Sequence, residues 1–193
     1  MHCPTPELLL AAQRVLGYLH RTRHLGLFYE ADDLPMSGMS DSDWAVKHST
    51  TGFTFQYCKA SISWGSRRQQ SIALSSCEAE IVAASEACKE GIYLRRFFQE
   101  LGLQDETPTS LSVDNSAARD LAYNPQHHER MKHVERRHFF IRELVELEHL
   151  VVPLVKTDEN LSDFFTKVLP PRMFIPLRNK IMNIPHGESD TSD

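Results

Sequence analysis

Four carboxylates stand at the ends of four separate predicted elements: Asp41 in SDSDW, Glu80 closing SCEAE, Asp114 ending SLSVD and Asp163 in LSDFF. Brought together, they make a cleft too negative to stay ionised without cations, because like charges held close raise one another's pKa. Oxygen-only donors suit a hard ion, magnesium with manganese as a substitute, that keeps waters and completes its shell with phosphate oxygens. Two such ions about 3.5–4 Å apart can hold a phosphodiester between them, one activating water and the other stabilising the leaving oxygen. That is in-line hydrolysis of a nucleic-acid backbone. Asp and Glu are common residues, so their spacing carries weight only if the surrounding elements bring the four together.

The most regular of those elements runs from Leu74 to Leu103. Ser75 followed by Glu78 reads as a capping box, the hydroxyl taking one orphan amide and the carboxylate reaching back to another. Ile81, Ala84, Cys88, Gly91, Phe98 and Leu101 recur at helical spacing, and the small middle of that stripe suits close approach to a sheet. Glu80 falls in the first turn beside the stripe. Before this helix, MSDSDWAV, GFTFQYC and ASISWGS are short strands with short links, an antiparallel meander. After it come a strand at TSLSVD, a short helix at NSAARDLAYNP, a helix in the second half of HHERMKHVERRHFFIRELVELEH and a fifth strand in LVVPLVKT. Asn160 is placed to cap a helix over LSDFFTKVL, and RMFIPLRNKIMN is expected as a last, peripheral helix before a polar tail. At the other end, ELLLAAQRVLGYLHRTR predicts an amphipathic helix in need of a partner, GLFYE a strand, and EADDLPMSG a linker with a boundary near Met36. This order predicts an α/β fold, a five-stranded mixed sheet flanked by helices, with the acids meeting where strands end and helices leave.

Composition narrows the class. A chain of 193 residues, 41% apolar and 24% charged, suits one domain with an appendage, and a formal net charge of -5 argues against a uniformly basic nucleic-acid coat. Cys3, Cys58, Cys77 and Cys88 form no CxxC pair, which favours free thiols over disulfides or zinc. The apolar run LLLAA is too short to span a bilayer, and nothing resembles a signal peptide. Neither a membrane nor a small-molecule cofactor is expected.

In order along the chain, SDSDWAVKHSTTGF, ISWGSRRQQSIALSSCEAE, SVDNSAARDLAYNP, MKHVERRHFFIREL and ENLSDFFTK resemble the ribonuclease H domain of copia-type retrotransposon Pol polyproteins, over roughly residues 39–167. AAQRVLGYLHRTRHLGLFY resembles the piece that joins the reverse transcriptase to that domain. The resemblance implies a ribonuclease H-like fold and cleavage of the RNA strand of RNA–DNA hybrids with two magnesium ions. It carries the family's four acids onto Asp41, Glu80, Asp114 and Asp163, and leaves Asp43 and Glu78 as neighbours. It also implies a division into 1–35, a remnant of the reverse transcriptase connection, 36–170, the nuclease domain, and 171–193, a peripheral helix and acidic tail. The partners it implies are the hybrid and the reverse transcriptase portion of the same polyprotein, in a cytoplasmic virus-like particle or the nucleus. A non-catalytic, hybrid-binding or scaffolding fragment of a decayed polyprotein is the alternative. Two departures stand out: the link after DWA is only VKH, which predicts a tight first hairpin, and KTDENLSD lacks the histidine that cellular ribonucleases H place before their last catalytic helix.

Further signals concern binding. Lys132, Arg136 and Arg137 sit in a histidine-rich basic segment that can meet phosphates, although Glu129, Glu135 and Glu143 interleave as on an ordinary solvated helix. His127, His128, His133 and His138 invite a zinc reading, which the absence of a cysteine pair weakens. Arg67 and Arg68 follow Trp64, a basic pair beside an aromatic that can track a backbone, unless Trp64 packs under the helix. Ser40, Ser42 and Asn115 adjoin proposed ligands and can read a ribose 2′-OH, or simply make local turn bonds.

Overall fold

The meander consists of β1 (Ser37–Asp43), β2 (Thr50–Tyr57) and β3 (Ala60–Arg68), each pair antiparallel. Parallel to β1 on its other side lie β4 (Thr109–Ser112) and β5 (Leu150–Val151), giving a mixed sheet of order β3-β2-β1-β4-β5. This computed structural model describes residues 4–45, 47–103, 107–123 and 132–185, the last of these with side chains from 136 onward. The β2–β3 connection is a two-residue turn with Cys58 at φ 51° and Lys59 at φ 66°. Two left-handed residues in succession match the twist of a tight hairpin, here without the glycine that usually marks one.

Six α-helices are described: α1 (Pro6–Arg21), α2 (Ser76–Glu100), α3 (Ser116–Tyr123), α4 (Lys132–Glu146), α5 (Asp163–Thr166) and α6 (Pro171–Met182). The cap of α2 forms as its sequence predicts, the Glu78 amide donating to Ser75 Oγ at 3.1 Å, but the Glu78 carboxylate reaches one residue further back and accepts from the Leu74 amide at 2.7 Å. Ile81, Ala84, Cys88, Gly91 and Phe98 are buried, whereas Leu101 lies past the helix end and is 56% exposed. Gly91 has a steric reason: a Cβ there would stand 2.9 Å from the ring of Phe55, the fully buried centre of β2. Phe55, Phe53, Ile81, Cys88, Leu111, Val113, Ile141 and Leu150 join in one core between the sheet and α2, α3 and α4. Truncating Phe55 to alanine removes the contact that seats α2, at a cost of about 3–5 kcal/mol.

Four expectations change. GLFYE is irregular rather than a strand: the Phe28 amide donates to Met182 O at 2.9 Å and the Glu30 amide to Cys58 O at 3.1 Å, so its bonds go to a helix end and a turn instead of a ladder. β5 pairs over two residues, because Pro153 has no N–H to offer, with a single further bridge between Val113 and Leu154. Asn160 is not the cap of α5, which holds four residues; it is fully buried, its Oδ1 accepting from the Ser162 amide and its Nδ2 donating to Ser40 O, both at 3.1 Å. α6 is less peripheral than expected, since Leu177 and Ile181 are buried with Leu161 in a second, smaller cluster.

α1 differs from the other helices. It buries none of its residues, and Leu8, Leu9, Val15, Leu16 and Leu19 face solvent. Its tie to the rest runs through Tyr18, whose ring meets Phe174 edge-on at 5.7 Å. No described helix is long and apolar enough to cross a membrane.

Candidate metal centre and nucleic-acid interface

Asp41 lies near the C-terminal end of β1 and Asp114 just past β4. The parallel register pairs Met39 with Ser112, so each acid stands two residues beyond that pair. α2 crosses at the same sheet edge and delivers Glu80 from its first turns. One carboxylate oxygen from each of Asp41, Glu80 and Asp114 lies within 4.8 Å of the others. Gln69 helps to fix this approach, its buried side-chain amide donating to Thr51 Oγ1 at 3.1 Å and to Ala79 O at 3.0 Å, which ties β2 to the start of α2.

Burial and the mutual repulsion of the carboxylates dominate the electrostatics at Glu80 and Asp41. Glu80 is 6% exposed; its Oε1 accepts from the Ser42 amide at 3.3 Å, and its Oε2 is sealed from solvent with no hydrogen-bond partner. Burial, and then the charges of Asp41 and Asp114, push its carboxyl up to about 8, against which Ser42, by its side chain and its amide, works only partly. The Asp41 carboxyl is also raised, by burial first; the Thr166 hydroxyl and Lys167 oppose the shift and the Asp163 charge adds to it.

Asp163 does not join the triplet. It opens α5, and Lys167, one turn on, reaches back with Nζ 2.6 Å from Asp163 Oδ1 and 3.6 Å from Asp41 Oδ2. The Thr166 hydroxyl donates to Asp41 Oδ2. α5 comes this close because β2 carries Gly52 opposite Asp41: a Cβ at Gly52 would stand 2.5 Å from Thr166 Cγ2 and 2.9 Å from Ser162 O. Sequence reasoning missed Thr166, Lys167 and Gly52, and gave Asn160 a different role. The four-residue spacing of Asp163 and Lys167 was a readable ion-pair signal, whereas the approach of Thr166 to Asp41 and Gly52, and the bond from Asn160 to Ser40 O, have no local signature.

The expected nucleic-acid contacts divide. Arg67 and Arg68 are exposed at the end of the edge strand β3, in register with Thr51 and Thr50, which themselves face Ser42 and Asp43. That places their backbone about 10 Å across the sheet from the end of β1. Trp64 is 51% exposed, so it does not pack beneath a helix. The hydroxyls of Ser40 and Ser42 are buried, and the Ser42 amide donates to Glu80 Oε1. Asn115 uses its side-chain oxygen to cap α3, accepting from the amides of Ala117 at 3.0 Å and Ala118 at 3.1 Å. Arg136 is exposed and Arg137 half-buried on α4, with His138 bonded to Leu121 O. His127 and His128, and the side chains of Lys132 and His133, lie outside the described residues. Among the described residues, the cluster suited to a metal is all-carboxylate.

Over 175 residues, 89% of its length, the chain is 39% identical to the retrovirus-related Pol polyprotein from transposon TNT 1-94 of Nicotiana tabacum. Over 186 residues, 94% of its length, it is 35% identical to that from transposon RE1 of Arabidopsis thaliana. The chain belongs to the copia-type Pol polyproteins. This Pol segment spans 13% of the length of each of these relatives, and no family model matches it. Its fold is that of ribonuclease H. The LC11 ribonuclease H1 isolated from compost matches with a TM-score of 0.54 at 13% identity, covering 68% of the Pol segment and 92% of that chain. A foamy viral protease–reverse transcriptase, solved in complex with an RNA/DNA hybrid, matches with a TM-score of 0.53 at 15% identity, covering 99% of the segment and 22% of that chain.

Proposed function

We propose that this Pol segment is an endonuclease that hydrolyses the RNA strand of RNA–DNA hybrids, with Asp41, Glu80, Asp114 and Asp163 holding two divalent ions, magnesium in the first instance. The observation that carries this reading is the triplet of carboxylates from β1, α2 and the end of β4, with oxygens within 4.8 Å of one another. The donor set fits a hard cation. Glu80 Oε2, buried and unpartnered, is an acceptor whose desolvation is costly unless a cation satisfies it. When bound, such ions supply charge neutralisation for the attacked phosphate and ease deprotonation of water.

The segment's own residues set the geometry. The Ser42 amide aims Glu80, Thr166 holds one oxygen of Asp41, and the cap made by Asn115 begins α3 directly after Asp114. Arg67, Arg68 and exposed Trp64 offer charge and a stacking face along the β3 edge, where a strand leaving the site would run. The hybrid as substrate rests on the family resemblance and on the hybrid bound to the foamy viral protein of like fold. In the polyprotein this activity would clear template RNA during reverse transcription. Residues 36–170 with α6 form the nuclease unit in this reading, and 1–35 the end of the reverse transcriptase connection, whose preceding portion would cover the bare apolar face of α1. That bare face also favours a second reading, in which the isolated segment binds hybrids and cuts them only alongside the polymerase.

The test is cleavage of a hybrid labelled on either strand by the purified segment with magnesium, beside Asp114→Asn and a double-stranded DNA control. Cutting confined to the RNA strand and lost in the variant supports the proposal. Hybrid binding without cutting, unchanged when the reverse transcriptase portion is restored, overturns it in favour of a binding fragment.

A further inference from the structure

The four acids are not equivalent. Asp41, Glu80 and Asp114 face one another, while a cation that the chain itself supplies stands between Asp163 and the Asp41 end of that triplet. Resting on the function proposed for this site, we infer that Lys167 is a tethered cation that keeps the second metal position, between Asp41 and Asp163, closed in the free protein. The segment without nucleic acid then binds one divalent ion, at Asp41, Glu80 and Asp114, and admits the second only when a phosphate draws the ammonium away.

The geometry supports each part. Lys167 Nζ lies 2.6 Å from Asp163 Oδ1 and 3.6 Å from Asp41 Oδ2. A magnesium ion bridging those carboxylates needs the same oxygens at about 2.0–2.1 Å, so ammonium and ion compete for one volume and repel across it. The Thr166 hydroxyl also occupies Asp41 Oδ2, leaving that oxygen doubly engaged on the α5 side. On the opposite side, Glu80 Oε2 has no partner. Lys167 is free to leave: it is the residue after the last turn of α5, and its side chain keeps 35% exposure. A phosphate oxygen arriving at the cleft offers it a charge-assisted bond in place of the carboxylate, and a flexible four-carbon stem lets it swing there. Substrate thereby opens the second ion position, and the free protein avoids holding two dications in an empty cleft.

The experiment is manganese binding without turnover, by titration calorimetry and electron paramagnetic resonance, on the parent, Lys167→Met and Lys156→Met. Lys156 is a lysine on the surface, 79% exposed, so its variant removes the same charge away from the site. The expected result is one uncoupled ion in the parent and in Lys156→Met, and two ions with a dipole-coupled spectrum in Lys167→Met. Adding a hybrid whose RNA strand is 2′-O-methylated, and so uncleavable, should bring out the coupled pair in the parent. A coupled pair in the free parent overturns the inference even if Lys167→Met fails to fold. One ion in a folded Lys167→Met overturns it alone. No bound ion in any of the proteins overturns both it and the metal-dependent function.

Discussion

Glu80 and Asp163 are each 6% exposed at the same sheet edge, yet they meet opposite surroundings. Asp163 has Lys167 one turn away and is held at ion-pair distance, whereas Glu80 faces two more carboxylates and Ser42, and its carboxyl is pushed up to about 8. The comparison teaches that an acidic cleft is divided by where the chain places its own cation. The α5 side is neutralised from within, and the α2 side awaits an ion from outside.

The largest effect that would sharpen this contrast is on catalysis. Removing one member of the triplet, as in Asp114→Asn, should lower hybrid cleavage by more than the 10–100-fold typical of losing an outer partner of a metal ligand, measured under single-turnover conditions. Undiminished cutting would erase the distinction between the two sides.

Next in size is a pH effect on stability. Glu80 holds its proton in the folded protein well above the ordinary carboxylate value of 4.5, so the folded state binds more protons than the unfolded state between those two points. The contribution of Glu80 to stability is therefore full below pH 4.5 and is lost as pH rises towards 8, by an amount on the order of a few kcal/mol. Melting curves in chelator should fall across that window, Glu80→Gln should flatten the fall, and magnesium should counter it. Equal slopes in parent and variant would show that the triplet is not the strained side.

A smaller effect concerns the α5 side. Gly52→Ala sets a Cβ against Thr166 Cγ2 and the Ser162 carbonyl, an overpacking worth about 1–3 kcal/mol that pushes α5 away from Asp41. Adding Thr166→Ser removes the closer clash while keeping the hydroxyl, so it should restore part of both melting temperature and activity. No recovery would mean that the hydroxyl bond to Asp41 is not what α5 contributes.

The smallest expected change is at the β3 edge. Arg67→Ala and Arg68→Ala should each lower the salt dependence of hybrid binding by roughly one ion for each phosphate the side chain neutralises, with little effect on the rate of a bound substrate.

Much of the frame was legible because its signals are local. Short runs separated by turn-like pieces set β1 to β3, a Ser–Glu cap and a small-residue stripe set α2, and ordinary strand-to-helix topology sufficed to bring Asp41, Glu80 and Asp114 to one edge. What stayed hidden depends on contacts distant in sequence. Asn160 looked like a helix cap, but its bond to Ser40 O spans 120 residues. GLFYE has strand composition, yet its amides find a helix end and a turn. Thr166 and Gly52 matter through one close approach between α5 and β2 that neither stretch announces. The Ser42 hydroxyl, read from its place beside Asp41, is buried in the sheet, which its local sequence does not show.

The most direct test of the central claim, that the α2 side is the side that takes an ion from outside, is anomalous diffraction from crystals of the free segment grown with manganese. The account predicts a peak within about 2.1 Å of oxygens from Asp41, Glu80 and Asp114, with Lys167 still on Asp163. A peak between Asp41 and Asp163 with Lys167 displaced, and nothing at the triplet, would contradict it.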